Sequence, residues 1–168
     1  YFAPQTGNWQ WDEQKIQAWD VSDNVVDLMV RKIKQLPTAS QKTMQLAACI
    51  GNQFDLSTLV QLSETSPSQT AHQLWQTLTL GLVQPLDAGY KLLSEGNEGI
   101  DLESRYKFLH DQVQQAAYSL LSDEEKCDLH WQIGTKLKQS LDLNDVPERI
   151  FDIVNHLNAA KSKLQTET

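Results

Sequence analysis

Between Asp23 and Gly81 the apolar residues recur at helical spacing, and from Leu82 onward they follow the shorter period of strands. That change of period admits few architectures, because compact helices must then share one core with a small sheet. Asp23 reads as the N-cap of a helix from Asn24 to Leu36, with Val25, Leu28, Met29, Ile33 and Leu36 inward and Pro37 ending it. Thr38-Ala39-Ser40-Gln41 has capping-box spacing for a second helix, which reaches Ile50 before Gly51 stops it. Phe54-Asp55-Leu56 leads into a third, shorter helix through Leu62. Ser66-Pro67-Ser68-Gln69 is another capping box and opens a fourth helix marked by Ala71, Leu74, Trp75 and Leu78. Leu82 to Leu86, Tyr90 to Leu93 and Tyr106 to Leu109 read as short strands, with an acidic, glycine-bearing loop from Ser94 to Gly99. Compact helices followed by a small β-hairpin form the element order of a winged helix.

After Asp111 the chain is helical again. Gln112 to Leu121 is amphipathic, and Ser122 to Glu125 caps a helix whose stripe is Cys127, Leu129, Ile133, Leu137 and Leu141. Asp145 to Glu148 caps a last helix, with Ile150, Phe151, Val154 and Leu157 expected inward. The expected class is therefore mainly α (α+β), a winged helix over residues 23–121 and an antiparallel helical pair over 122–168. Such a pair is how a helical-repeat region begins. Upstream, Gly7 to Asp12 alternates aromatic and polar residues, as in a short strand or hairpin with Trp9 and Trp11 on one face as an apolar clamp.

The 168 residues suffice for a sizeable core, and a net charge of −8 argues against nucleic acid as the main partner. No Lys or Arg occurs from Pro67 to Leu86, and the cluster Arg31, Lys32, Lys34 complements a helix C-terminus. Cys49 and Cys127 read as reduced core thiols of a cytoplasmic protein. No apolar run reaches membrane-span length, and Tyr1 to Gly7 lacks the features of a signal peptide. The opening Tyr1-Phe2, without Met, suggests a segment of a longer polypeptide. Phosphate-loop, nucleophile-elbow, HExxH and CxxC motifs are absent from the sequence, which points to a segment that is not itself an enzyme.

The chemistry-bearing feature is Tyr106 to Asp111, an apolar alternation that runs into His110-Asp111 at the start of a helix, where unpaired amides can meet a phosphate. Four readings of the pair stand at this point. It is a nucleotide-sensing His presented to a neighbouring domain, or a buried, hydrogen-bonded His beside an Asp cap. As half of a metal phosphohydrolase site it would need His72 as a further ligand. As the phosphoacceptor of a two-component kinase, His110 would lie within a helix and be followed by Arg-Thr-Pro, and neither holds. The other three histidines, His72, His130 and His156, fall inside expected helices and read as solvent-facing or cap-satisfying.

Several long stretches resemble one family: Gly7-x-Trp9-x-Trp11-Asp12, Asp23 to Met29, Leu46 to Leu56, Phe108 to Tyr118 and Glu148 to Asn158. It is the large bacterial multi-sensor signalling kinases, cyanobacterial ones especially. These join a serine/threonine-kinase-like domain, an AAA-type ATPase, a helical-repeat region, a GAF sensor and often a C-terminal histidine kinase. The resemblance covers nearly the whole chain and places it just after the ATPase core, with residues 1–22 as the edge of the ATPase module or a linker hairpin. That ATPase is similar to the STAND class, in which a Met-His-Asp motif of a winged helix contacts the phosphate of bound ADP. Leu109-His110-Asp111 resembles the motif, with Leu in place of Met. The resemblance implies that His110 meets the nucleotide in trans and that Asp111 caps the helix and orients it. It implies no catalytic residue, metal or cofactor in this segment, with ADP or ATP and Mg in the adjacent domain. The implied partners are the ATPase domain and the downstream repeat and GAF domains of the same polypeptide, with no nucleic acid and no membrane. A DNA-binding winged helix of a transcription regulator is the alternative.

Overall fold

The computed structural model describes residues 2–3, 8–9, 21–87, 101–139 and 147–161. Within them lie α1 (Val21–Lys34), α2 (Thr38–Ile50), β3 (Gln53–Asp55), α3 (Leu56–Ser63), α4 (Pro67–Thr79), β4 (Val83–Pro85), β5 (Arg105–Phe108), α5 (Asp111–Ser119), α6 (Asp123–Gln139) and α7 (Pro147–Ala159). A separate two-residue hairpin pairs β1 (Phe2–Ala3) with β2 (Asn8–Trp9), at the place where a hairpin was expected. The described part of the chain is thus mainly helical with one three-stranded antiparallel sheet, in the order β3-β5-β4.

The sheet's central strand is the last of the three in sequence. Phe54 pairs with Tyr106 on one side of β5, and Val83 pairs with Phe108 on the other. Alternation along β5 turns Tyr106 and Phe108 inward, where they meet Phe54 at ring-centroid distances of 6.0 and 5.6 Å. The ladder continues past both ends of the strand: Leu56 N–H donates to the Ser104 carbonyl, Phe108 N–H to that of Asn52 and Leu109 N–H to that of Leu82. Two of the expected strands are realised as β4 and β5, whereas Tyr90 to Leu93 lies outside the described residues. Strand β3 was read as a lead-in to a helix. Its three residues are too few to show a period, and its partner lies some fifty residues away.

Side chains of α2, α3, α4 and α5 close over the inner face of the sheet, with Met44, Leu56, Leu59, Leu74, Leu82 and Val113 fully buried. Ala116 and Ala117 let α5 settle closely against its neighbours α1 and α2. Thr43 and Ser40 on α2 donate to Gln73 and Gln76 on α4, each at 2.7 Å, so the hydroxyls buried between these helices are satisfied. Helix α6 lies across α2 and α3, inserts Ile133, and donates from Lys136 Nζ to the Gln61 carbonyl.

Helix ends show where local signals hold and where packing overrides them. The Ser66 box forms as expected, with Pro67 at the first helical position. The Ser122 box forms too, Ser122 N–H donating to Glu125 at 2.8 Å and Glu125 N–H to the Ser122 hydroxyl at 3.2 Å. Asp55 caps α3 by accepting from the Thr58 N–H and hydroxyl. The second helix differs: Pro37 is its N-cap, and Gln41 turns back to donate to the Leu36 carbonyl at 2.8 Å, closing the end of α1 instead of forming a box with Thr38. Helix α1 begins at Val21, so Asp23 lies inside it, and Leu28 is exposed while Val26 and Val30 join the core.

The largest correction concerns α7. Ile150, Phe151 and Val154 are 50%, 67% and 45% exposed, while Ile153, His156 and Ala160 face α6. Gly134 explains the rotation: a Cβ there would sit 2.8 Å from Leu157 Cδ2 and 3.4 Å from His156 Cβ. Only a residue without a side chain lets the 156–157 edge of α7 approach so closely, and the 150/151/154 stripe is then carried outward.

Two stability predictions follow from this packing. Gly134→Ala forces Leu157 out of place and costs about 1–3 kcal/mol, read by urea unfolding and by faster amide exchange in α7. The buried Tyr106 and Ser104 hydroxyls interact electrostatically but stop short of a formed hydrogen bond, and neither has another partner among the described residues. Burial pushes the Tyr106 phenol up to about 12. Tyr106→Phe therefore leaves stability unchanged or raises it by up to about 1 kcal/mol in the same unfolding assay; a clear loss would reveal a partner for the hydroxyl.

Candidate functional site

His110 stands where the central strand gives way to α5. The pairing of β5 on both sides ends at Phe108 and Leu109, and His110 keeps an extended backbone, φ −144° and ψ 150°, as the N-cap of the helix. Its carbonyl accepts from Val113 N–H at 2.9 Å, starting the helix, while its side chain makes no capping bond and is exposed. The reading of a buried, hydrogen-bonded histidine beside an Asp cap does not hold.

Asp111 is the first helical residue and not the cap. Its carboxylate accepts from the Asn52 amide at 3.2 Å, across from the α2–β3 junction. One turn on, Gln114 donates to the Ala48 carbonyl at 3.1 Å. Both bonds bind the start of α5 to the end of α2, and Asn52 also supplies the carbonyl that holds Phe108. Asp111 was expected to cap the helix and so orient His110; it lies one position inside the helix instead, and its carboxylate is bonded to Asn52. An acid in the first turn also complements the helix dipole.

His110 lies between two depressions and lines neither. Leu109, 40% exposed, joins Trp75, Leu78, Val83 and Pro85 around an apolar groove of about 350 Å³. Asp111 joins Cys49, Gln114, Tyr118 and His130 around a more polar one of about 440 Å³. A roomier cavity of about 520 Å³, bounded by Lys42, Thr43, Leu62, Glu125 and Leu129, lies away from the histidine. His110 lines none of these three, and at its helix start the imidazole has no hydrogen bond among the described residues. Cys49 is buried, and that burial pushes its thiol up to about 12 despite the opposing Lys126.

The other histidines sort differently from expectation. His72 lies on α4 within 3.4 Å of Gln76, beside a groove with Pro37 and Ser40 that His110 does not share. Among the described residues no group of three or more His, Cys, Asp or Glu gathers to hold a metal ion. His130 and His156, read as solvent-facing, instead meet each other at 2.9 Å across α6 and α7, and Tyr118 reaches His130 at 3.1 Å. Nothing in local spacing signals that contact, because the two rings are 26 residues apart.

With this geometry in view, comparison with known proteins gives one curated relative. The chain is 33% identical over 157 residues, covering 80% of its length, to hybrid signal transduction histidine kinase G of Dictyostelium discoideum. That relative lies outside the bacteria in which the resemblance was placed. The chain spans about 5% of the relative's length. No family model matches the sequence, and no solved structure matches it. The chain is thus similar to a short stretch of a signal-transduction kinase. Among its described residues, no helix is long and apolar enough to cross a membrane.

Because the His110 ring is exposed and unengaged, His110→Ala leaves unfolding free energy within about 0.5 kcal/mol of wild type. Asn52→Ala, which removes the side-chain bond to Asp111 and leaves the backbone bond to Phe108, costs about 0.5–1.5 kcal/mol. Urea melts of the two variants side by side check the contrast.

Proposed function

We propose that the chain is a non-catalytic regulatory and interaction module of a multidomain signal-transduction kinase, coupling the nucleotide state of a preceding ATPase domain to downstream domains. The observation that carries this reading is His110 itself, an exposed imidazole with no structural task, fixed in direction by a paired strand before it and an anchored helix after it. Order α2-β3-α3-α4-β4-β5 with sheet order β3-β5-β4 supports reading this part as a winged helix whose hairpin is β4–β5. Similarity to 5% of a histidine kinase's length fits a segment that carries none of the kinase's own chemistry.

In this reading the ATPase domain seats against the apolar groove at Leu109 and brings its bound diphosphate to the start of α5. His110 donates to a phosphate oxygen there, helped by the first-turn amides. Asp111 and Asn52 keep that helix start in register with the core. ADP, or ATP with Mg, belongs to the adjacent domain, which supplies the phosphate loop and metal-binding acid. A contact made only with one nucleotide state shifts the equilibrium toward the arrangement that contains it. The exposed stripe Ile150, Phe151 and Val154 on α7 suits continuation into a helical-repeat region on the other side.

A DNA-binding winged helix is the competing reading. Its recognition helix would be α4, which offers Ser68, Gln69, His72 and Gln73 and no Lys or Arg for phosphate contacts. Gel shifts at low salt are expected to show no retardation.

The main test uses the longer polypeptide that includes the preceding ATPase domain. Co-purified ADP is quantified by chromatography for wild type and His110→Ala at matched fold and yield. Loss of one charge-assisted hydrogen bond to phosphate, about 1.5–3 kcal/mol, lowers ADP affinity by about 10- to 100-fold. Equal ADP content in both would remove His110 from the nucleotide site.

A further inference from the structure

Tyr118, His130 and His156 form a continuous polar chain from the end of α5, through α6, to α7. The Tyr118 hydroxyl lies 3.1 Å from His130 Nε2, and His130 Nδ1 lies 2.9 Å from His156 Nδ1. The ring centroids are 5.9 and 5.1 Å apart, and His156 is only 8% exposed. We propose that the His130–His156 pair is a proton-sensitive latch that holds α7 on α6 and ties both to α5.

A hydrogen bond between two Nδ1 atoms needs one protonated and one bare nitrogen. The chain satisfies this in either of two tautomeric patterns. Tyr118 donates to His130 Nε2 and His130 Nδ1–H donates to His156, or His156 Nδ1–H donates to His130 and His130 Nε2–H donates to Tyr118. A first added proton is taken up at an outer Nε2, of His156 or of His130 with Tyr118 turned to accept, and the proton already between the two Nδ1 atoms keeps their bond. A second leaves two N–H groups opposed at 2.9 Å, both positively charged, and the bond is lost. A centroid separation of 5.1 Å points the two nitrogens head-on, which suits a shared proton and not a metal ion held at their convergence.

The charged surroundings do little to offset this. From α2, Cys49 lines the groove beside His130, and from α5 so do Asp111 and Tyr118. On α6, Lys126 stands 5.1 Å over the Tyr118 ring and is itself paired with Asp123, while Cys127 lies one turn before His130. From α7, Asp152 favours a charged His156. Burial works against it more strongly, and charge on His130 adds to that effect; for His130 burial alone acts. Both imidazoles are therefore held below their ordinary 6.5. The sign follows: groups with lowered folded values contribute stability that is present above about 6.5 and lost as pH falls through the folded values.

The test uses the full chain, with histidine ring nitrogens labelled and observed by NMR from pH 8 to 5, alongside amide exchange of residues 153–160 in α7 and 43–49 in α2. His130 and His156 are expected to titrate below 6.5 in two coupled steps. In that window, opening of α7 relative to α2 increases by up to about tenfold per pH unit for each proton taken up. His156→Gln removes that pH dependence while keeping a hydrogen-bonding side chain. Titration of the pair at or above 6.5 would overturn the latch, and so would a constant exchange ratio between α7 and α2 from pH 7.5 to 5.5. The wild-type titration decides the matter even if the variant fails to fold. None of these readouts depends on whether His110 meets a nucleotide.

Discussion

The position and direction of His110 hang from one strand. β5 is paired on both edges, and its inward residues Tyr106 and Phe108 lie against Phe54 in a buried aromatic cluster. A strand held by hydrogen bonds from two sides and by rings from below has no freedom to slip, because a one-residue shift would turn both rings outward. The residues that follow inherit that precision. Leu109 is the last to be tethered, through Leu82, and His110 is the first to be free. The exposed imidazole therefore stands on a paired strand and an anchored helix without a side-chain bond to either.

The sequence was most legible where local chemistry is sufficient. Ser66 and Ser122 signal helix starts because a hydroxyl and an acid or amide three residues on can satisfy one another without help. It was least legible where a distant residue competes for the same group. Thr38 has the spacing of a box, but its partner Gln41 is drawn to the Leu36 carbonyl; Asp111 has the chemistry of a cap, but its carboxylate is drawn to Asn52. In both cases the alternative acceptor or donor, the Leu36 carbonyl before α2 or the Asn52 amide between α2 and β3, lies outside the motif that the spacing describes. The short β3 was hidden for the same reason, since only its pairing with β5 makes it a strand.

The candidate site was half legible. That His110 is the residue to watch follows from a His-Asp pair placed where a strand runs into a helix. That it is exposed and unengaged does not follow, because the same residues are compatible with a buried histidine. The face that α7 turns to α6 was illegible for a third reason, steric and not polar. A glycine within a helix is ordinarily a cost of about 1 kcal/mol with no positional meaning. Gly134 acquires meaning only when α7 arrives against it, and that arrival decides which face of α7 is buried and which histidines meet.

These two places are joined by a single short helix. Asp111 begins α5 and Tyr118 lies near its end, seven residues or about 10 Å further along the axis. The first is bonded to the α2–β3 junction and the second to His130, so one rigid element touches both the candidate sensing position and the chain of rings that holds α7. α5 is packed against α1 and α2, with Ala116 and Ala117 fully buried between them. If a nucleotide contact at His110 draws the start of α5 outward, the strain falls on Tyr118 and His130, the polar joint to α6. An apolar joint would resist that strain by area alone; a hydrogen-bonded pair of imidazoles yields stepwise, one proton at a time. The histidine pair lies between a helix that begins beside His110 and one whose apolar stripe faces outward.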